Sequence, residues 1–473
     1  MDPLTGFLVA LAVCGAGFVL GTARGGLGHG VGTAVILSWL MPVWIKIDIA
    51  GLPYDVKIIV ALAVLIVFTL RDPRQLLVAP AWSDLAIIGL FTAHVLSDCT
   101  ATGQIDWRHF FRAYGEWGLP YAAGRYAIRR AEDLREVAPI GLVVTLIICG
   151  GMLFESFTSI NPWEVVFGER PVDGSPRHLM RFGFQRAFGP TMQTIFCGML
   201  AVLLTPWLWS MAAPRQERFD AKRLAWLVPG LLASISTFSR GVQLSWVVAT
   251  TASLSLRNLW VRRIAIAGAA AVLLIGLFAS NQIIKVVDRW GDQDQQQRLD
   301  EWKARQNKQP SDQPPPDQRT FGRSSALNRL ALVPAYAKSV QAGGLTGFGT
   351  AAVTDFPPRV PHLPEQALKR GGQSAGFIDN FYLLLTLRFG PLGLAMFLIL
   401  ATLSLVQLAI VVRETQFELA EGAFGAVVGT LVGLLTVWMP YDFGFVLLWW
   451  FGTSATLFTA RHSDREWMAP MTR

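Results

Sequence analysis

The sequence predicts an all-α integral membrane protein with about 12–14 transmembrane helices and one long helical loop outside the cytoplasm. Hydrophobic residues make up 52% of the 473 residues and charged residues only 16%, and the mean hydropathy is +0.41. A water-soluble domain carries more charge than this on its surface. The other two observations are a long series of apolar runs and a long polar interval late in the chain.

Each apolar run is a candidate membrane helix, because about 20 helical residues cross about 30 Å of hydrocarbon. We count about 13 runs, several of them shorter than this length. In one run Gly425, Gly429 and Gly433 recur every four residues, which predicts close packing against another helix. The runs are residues 4–22, 31–50, 56–70, 82–98, 109–127, 136–155, 189–209, 224–238, 242–256, 261–281, 391–412, 422–439 and 443–460.

The cations of the short connections predict the orientation in the membrane. All of them fall on one side if every run crosses once, and short cytoplasmic loops are enriched in such residues. Asp2 precedes the first run and no basic residue does, which predicts an outer N-terminus without a cleaved signal peptide. These cations are Arg71, Arg74, Arg129, Arg130, Arg135, Arg215, Arg218, Lys222, Arg223, Arg257, Arg262, Arg263, Arg413, Arg461 and Arg465.

Two outer intervals, 156–188 and 282–378, are too long to be simple connections. The second contains a Pro-rich segment at 310–318 and two stretches, 288–308 and 324–340, with the pattern of amphipathic helices. We therefore expect a helical cap over the membrane domain. The predicted domains are an N-terminal bundle (1–281), the outer loop (282–378), a C-terminal membrane segment (379–461) and a cytoplasmic tail (462–473).

The sequence indicates neither a metal ion nor a cofactor. The six histidines lack the spacing of metal ligands. Asp292 and Asp294 match the Asp-x-Asp with which metal-dependent transferases hold a nucleotide diphosphate, but they lie in the outer loop, where nucleotides are not expected. The Gly-rich segment 24–32 follows an apolar helix rather than a strand, so a phosphate-binding loop is not expected there.

Three arginines, Arg186, Arg240 and Arg329, stand near the outer ends of apolar runs or inside the outer loop. A charge near a membrane helix is costly unless it is paired or binds an anion. The planar guanidinium binds phosphate oxygens through two hydrogen bonds and keeps its charge, so such residues can stabilise a diphosphate. Contacts with lipid headgroups and structural ion pairs are the alternatives. The anion site is favoured for the three arginines taken together.

The stretch 376–397 combines polar residues with a broken apolar helix. It begins with Asp379 and Asn380, and a Gly390-Pro391 pair interrupts the helix. A carboxylate at this position serves either as a general base or as the N-cap of the helix.

Three neighbours complete this candidate site. Asn380 and Tyr382 are expected to orient Asp379 if it is a base. Arg388 is either a further phosphate contact or the ion-pair partner of a loop carboxylate.

Several short motifs stand in a fixed order along the chain and resemble those of the O-antigen ligase and polymerase superfamily over about residues 108–412. One departure is Asp379, which stands where ligases of that family have a histidine. The matching residues are Arg186 in an outer loop, Ser239-Arg240-Gly241 after a membrane run, Arg329, Leu345-Thr346-Gly347-Phe348-Gly349 without the family's proline, Asn380-Phe381-Tyr382-Leu383, and Gly390, Gly393 and Leu394.

The resemblance implies a multi-pass protein of the bacterial cytoplasmic membrane, similar to glycosyltransferases of the GT-C type, with a periplasmic active site. It implies a metal-independent, inverting transfer of a glycan from undecaprenyl diphosphate to an acceptor hydroxyl. Arg186, Arg240, Arg329 and Arg388 are then the diphosphate contacts and Asp379 is the base. The acceptor is either another lipid-linked glycan, as in a polymerase, or a lipid A core, as in a ligase; Asp379 favours the polymerase. Membrane lipids and a chain-length regulator are the other partners implied, and nucleic acid is not.

Three other classes remain open. A transporter is also polytopic, but the two halves of the chain show no internal repeat. A glycosyltransferase with a lipid monophosphate donor usually carries acidic pairs in its first outer loop, where this chain has Asp55 with Asp48 nearby. A membrane acyltransferase needs a histidine within a membrane helix, for which His94 is the candidate.

Overall fold

The computed structural model describes residues 2–49, 51–71, 79–171, 180–181, 183–214, 221–278, 336–353, 359–362 and 378–461. These residues form helices and two short antiparallel hairpins, in which Lys46 pairs with Asp55 and Met180 with Gln185. The all-α fold predicted from the sequence is therefore confirmed. The predicted helix 288–308, Arg329 and the Asp292-Gln293-Asp294 motif lie outside the described residues.

The helices and strands follow one another along the chain in a simple order. The elements are α1 (Pro3–Ser38), β1 (Lys46–Ile49), β2 (Leu52–Asp55), α2 (Val56–Arg71), α3 (Trp82–Thr102), α4 (Trp107–Ala113), a π-helical turn (Tyr114–Gly118), α5 (Leu119–Ala127), α6 (Ala131–Thr158), α7 (Pro162–Phe167), β3 (Met180–Arg181), β4 (Phe184–Gln185), α8 (Thr194–Leu203), α9 (Thr205–Ala212), a 3₁₀ helix (Ala221–Leu227), α10 (Val228–Ser236), α11 (Arg240–Arg257), α12 (Leu259–Phe278), α13 (Ala337–Ala342), α14 (Gly349–Ala352), α15 (Phe381–Thr415), α16 (Glu418–Gly433) and α17 (Tyr441–Ala460).

Six helical segments of the described residues are long and apolar enough to cross a membrane. They are α1, α3, α6, the segment made of α8 and α9, α15 and α17. The polytopic membrane protein predicted from the sequence is thus confirmed. Six is fewer than the number of apolar runs, because some runs fold as shorter helices, such as the 16-residue α2. In other cases two neighbouring runs form the two arms of one helical hairpin.

Helix α1 is such a hairpin, with its turn at Gly26, where φ is +82°. A Cβ on Gly21 would lie 2.8 Å from the Cα of Gly30. In a straight helix these two residues would be about 13 Å apart along the axis, so the two arms are antiparallel. The Gly-rich segment 24–32 therefore forms the tip of a helical hairpin.

Helix α15 folds back in the same way at Gly390, where φ is +66°. The ring centroids of Phe381 and Phe397 are 4.9 Å apart, although 16 residues of straight helix would separate them by about 24 Å. Residues 381–389 therefore form a short arm against the longer 391–415 arm. The break predicted from Gly390 and Pro391 is a reversal of the chain.

The molecule packs around α17 and the α8–α9 segment, whose residues are mostly buried. At the centre, the rings of Trp39 and Trp449 lie 5.0 Å apart and those of Trp207 and Trp450 lie 5.5 Å apart. All four tryptophans are fully buried. Such large apolar side chains fix how the surrounding helices pack.

Helices α11 and α16 touch along the face that carries Gly425, Gly429 and Gly433. A Cβ on Gly429 would overlap the carbonyl oxygen of Ser245, and one on Gly425 would overlap that of Ala249. The predicted close packing of this glycine face is therefore confirmed. It brings the start of α11 next to the end of α16.

The connections between helices gather at two ends of the bundle. At the end that the sequence predicts to be outer, Val43 donates to the carbonyl of Pro190 (3.2 Å), and the Met192 N–H donates to Asp442 (3.1 Å). Which end faces the periplasm stays a prediction. At the opposite end several arginines form ion pairs with acidic side chains. These pairs are Arg125 with Asp84, Arg135 with Glu418, Arg257 with Glu421 and Arg461 with Glu414.

Candidate active site

The turn between α10 and α11 is surrounded by arginines. Nε of Arg186 donates to the carbonyl of Thr237 (3.0 Å), and Nη1 of Arg181 donates to the carbonyl of Phe238 (2.8 Å). Arg240 is exposed at the first position of α11, directly after this turn. The structure therefore brings together two of the arginines predicted from the sequence, Arg186 and Arg240, and adds Arg181.

The electrostatics of this turn favour a bound anion. Burial lowers the pKa of the Arg186 guanidinium, and the nearby charge of Arg181 lowers it further. The start of α11 adds positive potential, because the first N–H groups of a helix lack partners within it. Ser239 is the N-cap but makes no capping hydrogen bond with its side chain. An anion placed here would stabilise both the guanidinium groups and the helix end.

The loop that carries Arg186 is held by a buried carboxylate on α6. Glu155 accepts hydrogen bonds from the N–H groups of Phe188 (2.9 Å) and Gly189 (2.8 Å) and from the side-chain amide of Asn161 (3.2 Å). A carboxylate with several donors is a strong anchor in a buried site. Glu155 therefore fixes the loop on which the Arg186 side chain is presented.

The short arm of α15 begins with Asp379 and Asn380, and Asn380 is its N-cap. The Asn380 side chain accepts from the N–H of Leu383 (3.0 Å) and donates to the carbonyl of Leu435 (3.2 Å). The Tyr382 hydroxyl donates to the carbonyl of Leu431 (2.7 Å). Asn380 and Tyr382 thus attach the arm to the end of α16, whereas the half-buried Asp379 precedes the cap. That they orient Asp379 stays a prediction.

The arginine turn and the Asp379 segment meet at residues 434–437. A Cβ on Gly241, next to Arg240, would lie 2.7 Å from the Thr436 hydroxyl. The Phe381 N–H donates to the carbonyls of Leu434 (3.0 Å) and Val437 (3.2 Å). Arg240 and Asp379 therefore both border one turn, although they are 139 positions apart in the sequence.

Arg388 lies elsewhere, at the tip of the α15 hairpin. Its carbonyl accepts from the Ser97 hydroxyl (2.6 Å), and its charge interacts with Glu116 and Asp98. Among the described residues, its buried Nε has no hydrogen-bond partner. Its side chain lines a cavity of about 360 Å³ at the outer end, which we call the Arg388 cavity.

His94 is engaged in holding the structure together. Its Nδ1 accepts from the Trp117 indole N–H (2.9 Å), its Nε2 lies 3.1 Å from the Thr350 hydroxyl, and its ring stacks on Phe389 with centroids 4.3 Å apart. Asp98 accepts from the Thr350 N–H (2.6 Å). These contacts attach the 345–350 segment to α3. They give His94 a packing role, and the acyltransfer role considered for it stays an untested alternative.

The Gly-x-Gly segment packs directly on the α15 reversal. The Phe348 N–H donates to the carbonyl of Leu387 (2.9 Å), and a Cβ on Gly347 would lie 2.6 Å from the carbonyl oxygen of Arg388. A Cβ on Gly390 would overlap the carbonyl oxygen of Leu345. Two motifs that are separated in the sequence by about 40 residues therefore form one contact.

A family model described as O-antigen ligase matches residues 225–398. The match covers about a third of the chain and supports the resemblance to the O-antigen ligase and polymerase superfamily. It includes the arginine turn, the Gly-x-Gly segment, and the short arm and reversal of the α15 hairpin, which are the parts that the structure brings together. Arg186 lies before the matched residues. No curated protein matches the chain. The protein is a multi-pass membrane protein, and its matched domain is of the O-antigen ligase type, which supports a glycosyltransferase-type activity.

Some residues at this end of the bundle were not singled out from the sequence. They are Arg181, Glu116, Tyr441 and Asp442, and the last three line the Arg388 cavity. Glu116 and Asp442 lie inside or beside apolar runs, and an ionisable residue in such a position is a functional candidate by default. That signal could have found both. In the described residues, no three His, Cys, Asp or Glu side chains are grouped to hold a metal ion.

Proposed function

We propose that the protein transfers a glycan from undecaprenyl diphosphate to a sugar hydroxyl, by an inverting and metal-independent reaction on the periplasmic side of the bacterial cytoplasmic membrane. The observation that carries the proposal is the common turn at 434–437, which joins the arginine turn to the Asp379 segment. A cation cluster and a carboxylate on one side of a bundle are the two groups that such a transfer requires.

The arginines act on the leaving group. When the bond between the anomeric carbon and the diphosphate oxygen breaks, the electron pair stays on the diphosphate and its negative charge grows. Arg186 and Arg240, with Arg329 from the outer loop, stabilise that charge through hydrogen bonds to the phosphate oxygens. Arg181 adds to the positive potential of the same turn. The interactions strengthen as the charge develops, so they lower the barrier of the transfer.

Asp379 acts on the acceptor. The acceptor hydroxyl attacks the anomeric carbon from the face opposite the diphosphate and forms the new glycosidic bond. Its proton passes to the Asp379 carboxylate, which later releases it to water. Attack from the opposite face inverts the anomeric configuration. Since Asn380 caps the helix, the capping role weighed for Asp379 is filled by its neighbour.

The acceptor is proposed to be a second lipid-linked glycan, which makes the enzyme a polysaccharide polymerase. The support is Asp379, which stands where ligases of the superfamily have a histidine. Transfer to a lipid A core is the alternative, and a chain-length regulator is a proposed partner of the polymerase.

A reconstituted assay tests this function. The purified protein is placed in vesicles with the host's lipid-linked repeat units and no other acceptor. A ladder of longer lipid-linked chains is the expected product. If chains do not lengthen but glycan is transferred once a lipid A core is added, the protein is a ligase. A protein that consumes neither substrate pair is not a glycosyltransferase of this type.

A further inference from the structure

The Arg388 cavity opens at the outer end, beside the proposed reaction site. Its wall is formed by the β1–β2 hairpin, the π-helical turn, the tip of the α15 hairpin and the start of α17. Its volume of about 360 Å³ falls in the range of about 300–1,000 Å³ that is usual for small-molecule sites. Trp438 lines the cavity and also packs against the hydrophobic cluster that contains Ile378, the residue before Asp379. The cavity is therefore a neighbour of the Asp379 segment.

The charges around the cavity are balanced. The ionisable side chains of its wall are Lys46, Arg112, Arg388, Asp55, Glu116 and Asp442. Three cations face three carboxylates, whereas the arginine turn carries cations. A diphosphate would find no net positive charge here, because the repulsion by the carboxylates offsets the attraction to the cations. A ligand without net charge that offers many hydrogen-bonding groups avoids this repulsion and uses both kinds of side chain.

Two polar atoms of the wall are left without partners. Among the described residues, neither Nε of Arg388 nor the hydroxyl of Tyr441 has a hydrogen-bond partner, and both atoms are shielded from solvent. Buried polar atoms are nearly always bonded, and each missing bond costs free energy. The guanidinium only donates, whereas a phenol donates and accepts. A sugar hydroxyl, which also does both, can pair with either atom once the side chain turns that atom towards the cavity.

The remaining wall suits a sugar ring. The aromatic rings of Tyr54, Phe111, Trp438 and Tyr441 supply flat apolar faces, against which the C–H groups of a sugar can pack. Glu116 lies on the π-helical turn Tyr114–Gly118. Such turns are rare and are often found at functional sites. The turn places the Glu116 carboxylate in the wall.

We propose that the Arg388 cavity binds an uncharged sugar unit of the acceptor glycan, with Arg388 and Tyr441 bonded to its hydroxyl groups. The inference rests on the glycosyl transfer proposed above and assigns Arg388 to the acceptor, not to the donor diphosphate. Asp379 and Arg388 lie at opposite ends of the short α15 arm, about 13 Å apart along its axis. The sugar unit bound in the cavity is therefore a different unit of the acceptor glycan from the one whose hydroxyl reacts at Asp379.

Binding measurements on the full-length protein in detergent test this assignment. The two probes are the oligosaccharide released by mild acid from the host's lipid-linked repeat unit, and undecaprenyl diphosphate without sugar. Calorimetric titration is expected to show that Tyr441→Phe weakens oligosaccharide binding about five- to tenfold, the effect of one hydrogen bond. Arg388→Lys is expected to weaken it at least as much. Both variants should bind undecaprenyl diphosphate as the wild type does.

The controls separate this inference from misfolding and from the proposed function. Tyr441→Phe should keep the midpoint of thermal unfolding, because the lost hydroxyl has no partner in the described protein. Tyr126→Phe, on α5 and outside the cavity wall, should bind both probes normally. Unchanged oligosaccharide affinity in both cavity variants, or loss of undecaprenyl diphosphate binding in Arg388→Lys, would overturn the assignment. Asp379→Asn, expected to be inactive, should still bind both probes, so binding and catalysis are judged separately.

Discussion

Arg240 differs from the two arginines beside it in what its side chain does. Arg181 and Arg186 are bonded to backbone carbonyls of the turn, whereas Arg240 is exposed at the first position of α11. A cation is unfavourable at the positive end of a helix dipole. A residue kept there at a cost is expected to act on a ligand, and a bound diphosphate would offset that cost.

We therefore predict that Arg240→Ala lowers the transfer rate at least about 100-fold, the usual effect of removing a group that stabilises charge in the transition state. Arg240→Lys should restore the rate only in part, because an ammonium lacks the bidentate fork. Arg329→Ala should behave like Arg240→Ala. The rates are compared in vesicles at equal protein content. Arg413→Ala, exposed on α15, is the control that should keep normal activity; normal rates in both alanine variants of the site would make those arginines structural.

Asp379 and Asn380 allow chemistry and helix capping to be tested on adjacent residues. Asp379→Asn keeps the shape of the side chain and should abolish transfer without changing the unfolding midpoint. Asn380→Ala removes the cap and should lower stability by about 1 kcal/mol. Activity assays and thermal unfolding of both variants are the measurements. An active Asp379→Asn enzyme would show that the proton goes to another group.

At the scale of elements, the two hairpins depend on glycines in the left-handed region. Gly390 has φ of +66°, and a Cβ there would overlap the Leu345 carbonyl oxygen. With ψ at −176°, this backbone conformation is essentially confined to glycine and costs other residues about 1–3 kcal/mol, and the overlap adds to that. Gly390→Ala is therefore expected to lower the unfolding midpoint and to reduce activity, because it displaces the short arm that follows Asp379.

Gly150→Ala on α6 is the matched control for Gly390→Ala. No atom lies within 4 Å of a Cβ added at Gly150, and this residue is helical. Alanine should therefore keep or raise the stability, by up to about 1 kcal/mol. Equal unfolding midpoints for the two variants would argue against the hairpin as described.

The sequence predicted the individual helices and their breaks better than the way in which they pack together. The breaks at Gly26 and Gly390 follow from composition, as do the apolar runs and the glycine face of α16. That the α15 break reverses the chain depends on contacts such as Phe381 with Phe397, which join distant residues. The π-helical turn at Tyr114–Gly118 also follows from packing, since its residues carry no signal for it.

For the candidate site too, the sequence indicated single residues but not which of them lie together. Arg186, Arg240, Asp379 and Asn380 stood out because each polar side chain interrupts or borders an apolar run. Nothing in the sequence separates Arg388 from Arg240, since both are arginines of the matched domain. Only the fold shows that Arg388 lies among carboxylates.

At the scale of the whole molecule, the connections form two groups with different electrostatic roles. The group opposite the candidate site includes arginines paired with acidic side chains, such as Arg257 with Glu421 and Arg125 with Asp84. The other group contains the arginine turn, the Asp379 segment and the Arg388 cavity. The residues of the proposed site therefore lie at one end of the bundle.

Cysteine labelling tests which end faces the periplasm. A cysteine at Ser311, in the outer loop predicted from the sequence and outside the described residues, should react with an impermeant reagent in intact cells. A cysteine at Ser463 in the predicted cytoplasmic tail should react only after lysis. Both are made in a variant with Cys99 replaced, because that cysteine is partly exposed. The opposite labelling pattern would invert the topology and remove the basis for glycan chemistry at this end.

The contact between Gly347 and the α15 reversal also limits which substitutions the protein tolerates at these two glycines. A side chain at either Gly347 or Gly390 would need the space that the other segment occupies. Substitutions at the two positions should thus be non-additive, with an interaction free energy of about 0.5–3 kcal/mol in a double-mutant cycle. Over evolutionary time both positions should therefore remain glycine, because a side chain at either one meets the backbone of the other segment.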